Sequence, residues 1–113
     1  MTWNFRITVR GRFSGLDEEQ RRSLRAAQDG HDMLSASFSP EGTFLYTPEL
    51  VNYQHRLLVT SDEADRDDAE TLASIRAEEL SAADLASRGL DGRTMSVSAV
   101  CVEDIKVRPR ARR

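Results

Sequence analysis

Hydrophobic and polar side chains alternate along several parts of the chain. Trp3, Phe5, Ile7 and Val9 occupy every second position of residues 3–10, which predicts a half-buried β-strand. Further strands are predicted over residues 34–38, 43–47, 52–60 and 94–102. All of these except residues 43–47 show the same alternation, and the strand at residues 43–47 is expected because a turn precedes it. A turn containing proline and glycine at residues 39–42 is expected to join the second and third of these strands in a hairpin.

Two other segments have the patterns of helices. Asp17 and Gln20 have the spacing of a capping box, so a first helix is expected from there to about Gln28. The acidic run at residues 61–70 suits the positive N-terminal end of a second helix. That helix is expected to end at residues 88–90, where arginine, glycine and leucine are typical of a Schellman motif. Its inward-facing stripe is predicted to contain Ala69, Leu72, Ala73, Leu80 and Ala83.

The predicted order of elements is β-α-β-β-β-α-β. Without one of the three middle strands, this is the split β-α-β pattern of a ferredoxin-like sandwich. We therefore expect an α+β fold, a ferredoxin-like open-faced sandwich with an extra strand, in which two helices cover one face of an antiparallel sheet. The other face would be solvated or shared with a second copy, as in a dimeric α/β-barrel-like assembly, so a homodimer is expected. Its predicted residues are Arg6, Thr8, Arg10, Ser35, Ser37, Gln54, Arg56, Ser96 and Ser98.

Length and charge limit the classes of protein to which the chain can belong. Its 113 residues suit one domain, which we expect over residues 1–104. That part carries 11 basic and 19 acidic side chains, a net charge of −8, which argues against nucleic acid as a partner. Residues 105–113 add five basic side chains and no acidic one, and are predicted to form a disordered tail.

The sequence does not have the pattern of a membrane or secreted protein. No apolar stretch approaches the ~20 residues that cross a bilayer, and the first residues lack the apolar core of a signal peptide. Cys101 is the single cysteine, so an internal disulfide is excluded. We expect a cytoplasmic protein without a membrane partner.

Known motifs for cofactors are not found in the sequence. There is no GxGxxG, no Walker lysine and no nucleophile elbow. The two histidines lie 24 residues apart, which is a weak basis for a metal site. No cofactor and no bound metal are therefore expected, and whether the protein is an enzyme stays open.

His31 is the first candidate for chemistry. With Asp32 or Asp29 nearby, its imidazole could act as a general base whose ring is oriented by a carboxylate. Tyr46 could supply a phenol to the same site, so the catalytic hypothesis comprises His31, Asp32 and Tyr46. The alternative is a solvated loop histidine, or one that hydrogen-bonds the open end of the first helix.

Four further residues form the substrate-binding hypothesis. Tyr53 and His55 lie on one side of a predicted strand, from which a phenol and an imidazole could reach a cavity. The alternative for both, and for Tyr46, is a buried ring with a satisfied polar tip. Arg10 and Arg56 are expected on the opposite side of the sheet, where they could bind a carboxylate or an enolate oxygen; the alternative is a pair of solvated arginines.

Part of the chain resembles a known family. The residues that carry the resemblance lie within positions 5–60 and include Val9-Arg10-Gly11-Arg12-Phe13, Gly15-Leu16, His31-Asp32, Phe38, Glu41-Gly42-Thr43 and Tyr46. In these, the chain is similar to a family of small uncharacterised actinobacterial proteins, a domain of unknown function. The resemblance implies an actinobacterial origin and supplies no activity.

Two hypotheses of function follow. The first is a small-molecule-binding protein, in its narrower form a cofactor-independent cyclase or isomerase of polyketide-like, specialised metabolism in actinobacteria. The second is a non-catalytic dimeric interaction module. A cavity with histidine or arginine beside tyrosine would favour the first hypothesis, and a filled core with a flat polar face would favour the second.

Overall fold

A computed structural model of the chain describes residues 2–28 and 37–103. This part of the chain forms a mixed α+β domain with four strands and two helices. The elements are β1 (Trp3–Phe13), α1 (Glu18–Ala26), β2 (Thr43–Tyr46), β3 (Asn52–Ser61), α2 (Arg66–Ser87) and β4 (Gly92–Cys101).

The strands form one antiparallel sheet in the order β2-β3-β1-β4. β1 is central, and its Val9 lies opposite His55 of β3 and Val97 of β4. The pairing of β1 with β4 shifts at Arg10, where Met95 is the extra residue of a β-bulge. The four strands are thus all antiparallel to their neighbours, as the predicted order of elements had indicated, and an isolated parallel bridge joins Ser39 to Leu57.

Most of the predicted elements are confirmed, with small changes at their ends. β1 extends three residues further than expected, to Phe13, and α1 ends at Ala26 rather than Gln28. The extra strand predicted over residues 34–38 lies mostly outside the described residues. The two of its positions that are described, Ser37 and Phe38, are not in a strand.

The helix ends follow the predicted local chemistry. The Asp17 side chain accepts from the Gln20 backbone N–H at 2.7 Å, and the Gln20 side chain accepts from the Asp17 N–H at 2.8 Å, so the capping box is confirmed. At the end of α2, Gly89 has a φ of 71° and the Leu90 N–H donates to the Leu85 carbonyl at 3.1 Å. This is the predicted Schellman ending, and a positive φ there favours glycine.

Two apolar clusters fill the space between the sheet and the helices. Both helices lie on one side of the sheet, because Leu24 of α1 and Leu85 of α2 share a cluster with Phe44 and Tyr53. The members of the other cluster come from β1, β3, α2 and β4: Phe5, Ile7, Val9, Leu57, Val59, Ala69, Ala73, Ala77 and Cys101. The alanines allow α2 to approach the sheet closely.

The predicted inward stripe of α2 is partly wrong. Leu72 is 47% exposed and Ala83 is also exposed, whereas Ala77 and Ser81 are buried. The buried positions recur every fourth residue from Ala69 to Leu85, and Leu72 lies about 100° away from that line. Neither helix in residues 2–28 and 37–103 has the length and apolar composition that a membrane span needs.

Candidate functional site

His55 is the centre of a buried polar network on the helix side of the sheet. Its ring is 1% exposed, and each ring nitrogen has a partner on α2. Nδ1 lies 2.6 Å from the hydroxyl of Ser81, and Nε2 lies 2.8 Å from a carboxylate oxygen of Asp84. Ser81 and Asp84 are three residues apart, so one turn of α2 presents both groups to the ring.

The chemistry of these partners fixes the state of the imidazole. Since a carboxylate only accepts hydrogen bonds, Nε2 of His55 carries the proton that faces Asp84, and Nδ1 accepts from Ser81. Burial lowers the pKa of His55 below its usual value, against the opposing effect of Asp84. His55 is therefore neutral at pH 7.

Arg88 connects this network to the surface. Its Nε donates to Asp84 at 2.8 Å, and its guanidinium lies 4.4 Å from the centroid of the Phe44 ring, which stacks on His55. Burial acts to raise the pKa of Asp84, but hydrogen bonds from Arg88 and His55 outweigh it and lower that pKa. Asp84 is thus held as a carboxylate.

Serine, histidine and aspartate are also the residue types of a hydrolase triad, but this network has a different form. In such a triad the aspartate hydrogen-bonds Nδ1 and the serine hydrogen-bonds Nε2. Here the two partners are exchanged, and Ser81 is 1% exposed, so its hydroxyl is out of reach of a substrate. The network instead fastens α2 to β3 and satisfies the polar groups buried between them.

Tyr46 is buried on the same side, with its ring centroid 5.4 Å from that of Phe44, the ring that stacks on His55. Its hydroxyl donates to the backbone carbonyl of Leu24 in α1, and burial raises its pKa. A cavity of about 370 Å³ lies beside it, between α1 and the end of α2. Arg88 and two carboxylates, those of Asp17 and Glu19, are among the lining groups.

Tyr53 lies flat against the sheet on the same side. It is 3% exposed, and burial raises its pKa. A Cβ atom placed on Gly11 would lie 2.2 Å from Cζ of Tyr53, and one placed on Gly92 would lie 2.7 Å from Cε2. The ring therefore occupies the space that side chains at these two glycines would need.

The opposite side of the sheet differs sharply in charge. None of the 19 acidic residues of the chain lies in the four described strands, whereas five arginines do. Strand alternation and register place all five on the side that the helices leave open. We call this side the arginine face, after Arg6, Arg10, Arg12, Arg56 and Arg93.

Two hollows lie on the arginine face. One of about 430 Å³ contains Arg6, Phe38 and Leu58, and the Phe38 ring centroid lies 6.0 Å from the Arg6 guanidinium carbon and 5.9 Å from that of Arg56. The other, of about 410 Å³, is lined by Arg10, Gly11, Thr47, Asn52, Tyr53, Gln54, Met95 and Ser96. Nearby, Arg56 donates to Gln54 at 2.8 Å and Arg10 donates to Ser98 at 3.3 Å.

The sheet separates the residues that the sequence had suggested as one site. Tyr46, Tyr53 and His55 lie on the helix side, with rings that are nearly inaccessible to solvent. Arg10 and Arg56 lie on the arginine face. His31 and Asp32 lie outside the described residues, so the catalytic hypothesis that involves them stays a prediction.

Sequence reasoning missed the partners of His55. Ser81 continues the series Ala69, Ala73 and Ala77 at four-residue spacing, and a polar residue in a buried stripe is a signal that could have identified it. No pattern in the sequence around Asp84 indicated that its side chain contacts His55. Within residues 2–28 and 37–103, no three histidine, cysteine or acidic side chains are grouped closely enough to hold a metal ion.

Comparison with known proteins identifies the family to which the chain belongs. A family model described as a family of unknown function, DUF6204, matches residues 1–113. The chain belongs to DUF6204. The match therefore includes α2 and β4 as well as the segment at residues 5–60 in which the sequence showed its resemblance. No curated protein and no solved structure matches this DUF6204 chain.

Proposed function

We propose that this DUF6204 protein binds an anionic small molecule on the arginine face. The observation that carries the proposal is the separation of charge. Five arginines and no acidic residue occupy the described strands, whereas α2 alone contains six acidic residues. The carboxylate of Glu103, after β4, binds the Asn4 side chain at one end of this face, but the strand residues of the face carry positive charge alone. Such a face attracts a ligand of negative charge.

The hollows on the arginine face have a suitable size and chemistry. Small-molecule sites typically measure about 300–1,000 Å³ and combine apolar walls with a few polar groups. The hollow beside Arg10 measures about 410 Å³ and adds the amides of Asn52 and Gln54 and the hydroxyl of Ser96. A guanidinium with neighbouring amides and a hydroxyl can bind a carboxylate through several hydrogen bonds.

The surroundings of Phe38 support a planar ligand. The centroid of its phenyl ring lies 6.0 Å from the guanidinium carbon of Arg6 and 5.9 Å from that of Arg56. Because planar guanidinium groups stack on aromatic faces, the same surface suits an aromatic ring that carries a negative charge. We therefore propose an aromatic carboxylate or a related enolate as the class of ligand.

We also infer that the domain is a ferredoxin-like sandwich. The strand order β2-β3-β1-β4, the element order β-α-β-β-α-β and the position of both helices on one side support this assignment. In such a sandwich the helix-free side of the sheet is the available surface for a ligand. The fold restricts where a ligand can bind and does not decide which one.

A narrower form of the proposal is cofactor-independent cyclisation or isomerisation of a polyketide-like intermediate. An enolate formed from such a substrate would be stabilised by Arg10, in the way that preorganised cationic groups stabilise developing charge. The base remains the hypothetical His31–Asp32 pair. Of the residues suggested by the sequence, the binding proposal uses Arg10 and Arg56.

Titration with a matched pair of probes tests the binding proposal. The probes are 2-naphthoate and its neutral analogue 2-naphthamide, titrated calorimetrically into the full chain. We expect 2-naphthoate to bind at least tenfold more tightly, and its affinity to fall with added salt because the attraction is between exposed charges. Equal affinity for the two probes, or no binding of either, would refute an anionic aromatic ligand.

Substitutions then locate the site. We expect Arg10→Gln and Arg56→Gln each to weaken binding of 2-naphthoate at least fivefold. Arg76→Gln is the matched control, since Arg76 is an exposed arginine on α2, away from the arginine face. If Arg76→Gln weakens binding as much as the other two substitutions, net charge rather than the arginine face is responsible.

A further inference from the structure

The two edges of the sheet are built differently. β2, at one edge, has four residues and is followed closely by Pro48, which limits its pairing with another strand. β4, at the other edge, has ten residues, and no described strand pairs with its outer side. One edge is thus protected by its shortness and the other is not.

The sequence of β4 also lacks the usual protection of an edge. Residues 94–102 contain no charged residue and no proline. Natural edge strands commonly carry lysine, proline or inward-facing charge to prevent pairing with another chain. The protective features of β4 are confined to its start, where Arg93 and the bulge at Met95 lie, so the regular part of the edge runs from Ser96 to Cys101. Val100 in this part is 48% exposed.

We propose that β4 pairs with β4 of a second copy of this chain, in an antiparallel arrangement around a twofold axis at Ser98. The proposal is independent of the proposed ligand. In this register Val97 lies opposite the partner's Ala99, and Ser96 lies opposite the partner's Val100. Each residue meets one on the same side of the sheet, as continuous antiparallel pairing requires.

The strand suits a copy of itself for two reasons. Its single charge, Arg93, lies at one end, so antiparallel pairing places the two Arg93 side chains at opposite ends of the interface. At the axis, Ser98 faces the partner's Ser98, and two hydroxyls can hydrogen-bond each other. The interface is narrow, so we expect a dissociation constant in the micromolar range.

The dimer would double the arginine face. A twofold axis perpendicular to the sheet keeps both sets of helices on one side and joins the two arginine faces into one surface of eight strands. The hollow beside Arg10 borders the interface, since Met95 and Ser96 of β4 line it. In this register Arg10 lies three strand spacings, roughly 14 Å, from the partner's Arg6, and the partner's Arg10 is further away along the strand. Both separations exceed the screening length of roughly 8 Å at physiological salt.

Introducing a charge at Ser98 tests the register directly. Ser98→Glu and Ser98→Lys each place like charges opposite each other, so each variant alone should sediment as a monomer of 12.7 kDa at 200 µM, where the unmodified chain has twice that mass. Mixed in equal amounts, the two variants should form a dimer again, since opposite charges then meet. Thr60→Glu and Thr60→Lys are the controls, because Thr60 is exposed on β3 on the same side of the sheet and should leave the dimer intact.

Hydrogen exchange provides a second test, which uses the unmodified chain and needs no substitution. Amides in residues 96–100 should exchange more slowly at 500 µM than at 1 µM, whereas those of β2 should not change with concentration. The proposal is overturned by a monomer at 500 µM, by dimeric Ser98 variants, or by larger aggregates in place of a dimer.

Discussion

The two sides of the sheet are made from alternate residues of the same strands, yet they are organised by different interactions. On the helix side, Val9 and Leu57 pack against alanines of α2, and the polar ring of His55 has a partner for each nitrogen. On the arginine face, Arg10 and Arg56 contact neighbouring polar side chains and remain partly accessible.

The helix side of the sheet stabilises the fold, and the arginine face is the side on which we propose that a ligand binds. The helix side has little room for a ligand near His55, because its groups are already matched to each other. The hollow of the helix side lies beside Tyr46, whereas the arginine face has two hollows, several cationic groups and neither of the two described helices above it. Substitutions on the first side are therefore expected to alter the free energy of unfolding, and substitutions on the second to alter ligand affinity.

The largest effect on stability is expected at His55. His55→Ala leaves a cavity in the core and removes the partners of Ser81 and Asp84, so it should lower the free energy of unfolding by about 3–5 kcal/mol. Urea unfolding measures this loss. Gln54→Ala, at the adjacent position on the arginine face, is the control and should cost less than about 1 kcal/mol. If the two variants lose the same free energy of unfolding, the helix side and the arginine face do not differ in their contribution to stability.

A smaller effect is expected at the contact between Gly11 and Tyr53. Gly11→Ala places a methyl group against the Tyr53 ring and should cost about 1–3 kcal/mol through overpacking. The cost should largely disappear in a Tyr53→Leu background, because the ring that causes the clash is absent. Urea unfolding of the four proteins of this double-mutant cycle gives the coupling. Additive effects would show that the two residues do not interact.

The pH dependence of stability provides a third comparison. His55 has a lowered pKa in the folded chain, so the unfolded chain binds more protons below about pH 6.5. Neutral His55 therefore makes its full contribution to the free energy of unfolding above that pH. This contribution is lost as the pH falls from the pKa of His55 in the unfolded chain towards its pKa in the folded chain. Thermal unfolding at pH 7.5 and 5.5 should show this loss in the unmodified chain and in His31→Asn, and a smaller loss in His55→Asn. If His55→Asn loses as much stability between pH 7.5 and pH 5.5 as the unmodified chain, the prediction is wrong.

The smallest effect is expected at Glu103, which follows β4. Hydrogen bonds from the backbone N–H and then the side-chain amide of Asn4 lower the pKa of Glu103 to about 2. The charged form therefore stabilises the fold above the unfolded pKa of about 4.5, and this contribution disappears as the pH falls towards 2. Glu103→Gln should cost no more than about 1 kcal/mol at pH 7, because the carboxylate lies near the surface and is only partly buried. In thermal unfolding, its difference from the unmodified chain should narrow below pH 4.5, and a constant difference would count against the prediction.

The local features of the fold could be predicted from the sequence. Alternation of hydrophobic residues indicated β1, β3 and β4, and the turn at residues 39–42 indicated the strand that follows it, β2. The capping box and the Schellman motif indicated one end of each helix. These features depend on residues that are close along the chain. Strand ends and the rotation of α2 were less certain, because packing rather than local spacing decides them.

Sequence by itself also determined the charge of the arginine face, since alternation along β1 places Arg6, Arg10 and Arg12 on one side. Only the tertiary structure decided which groups meet His55. Its partners Ser81 and Asp84 lie 26 and 29 residues away, and they reach the ring because α2 crosses β3 at one particular rotation. Such contacts depend on strand order and helix packing, and no local period of the sequence encodes them.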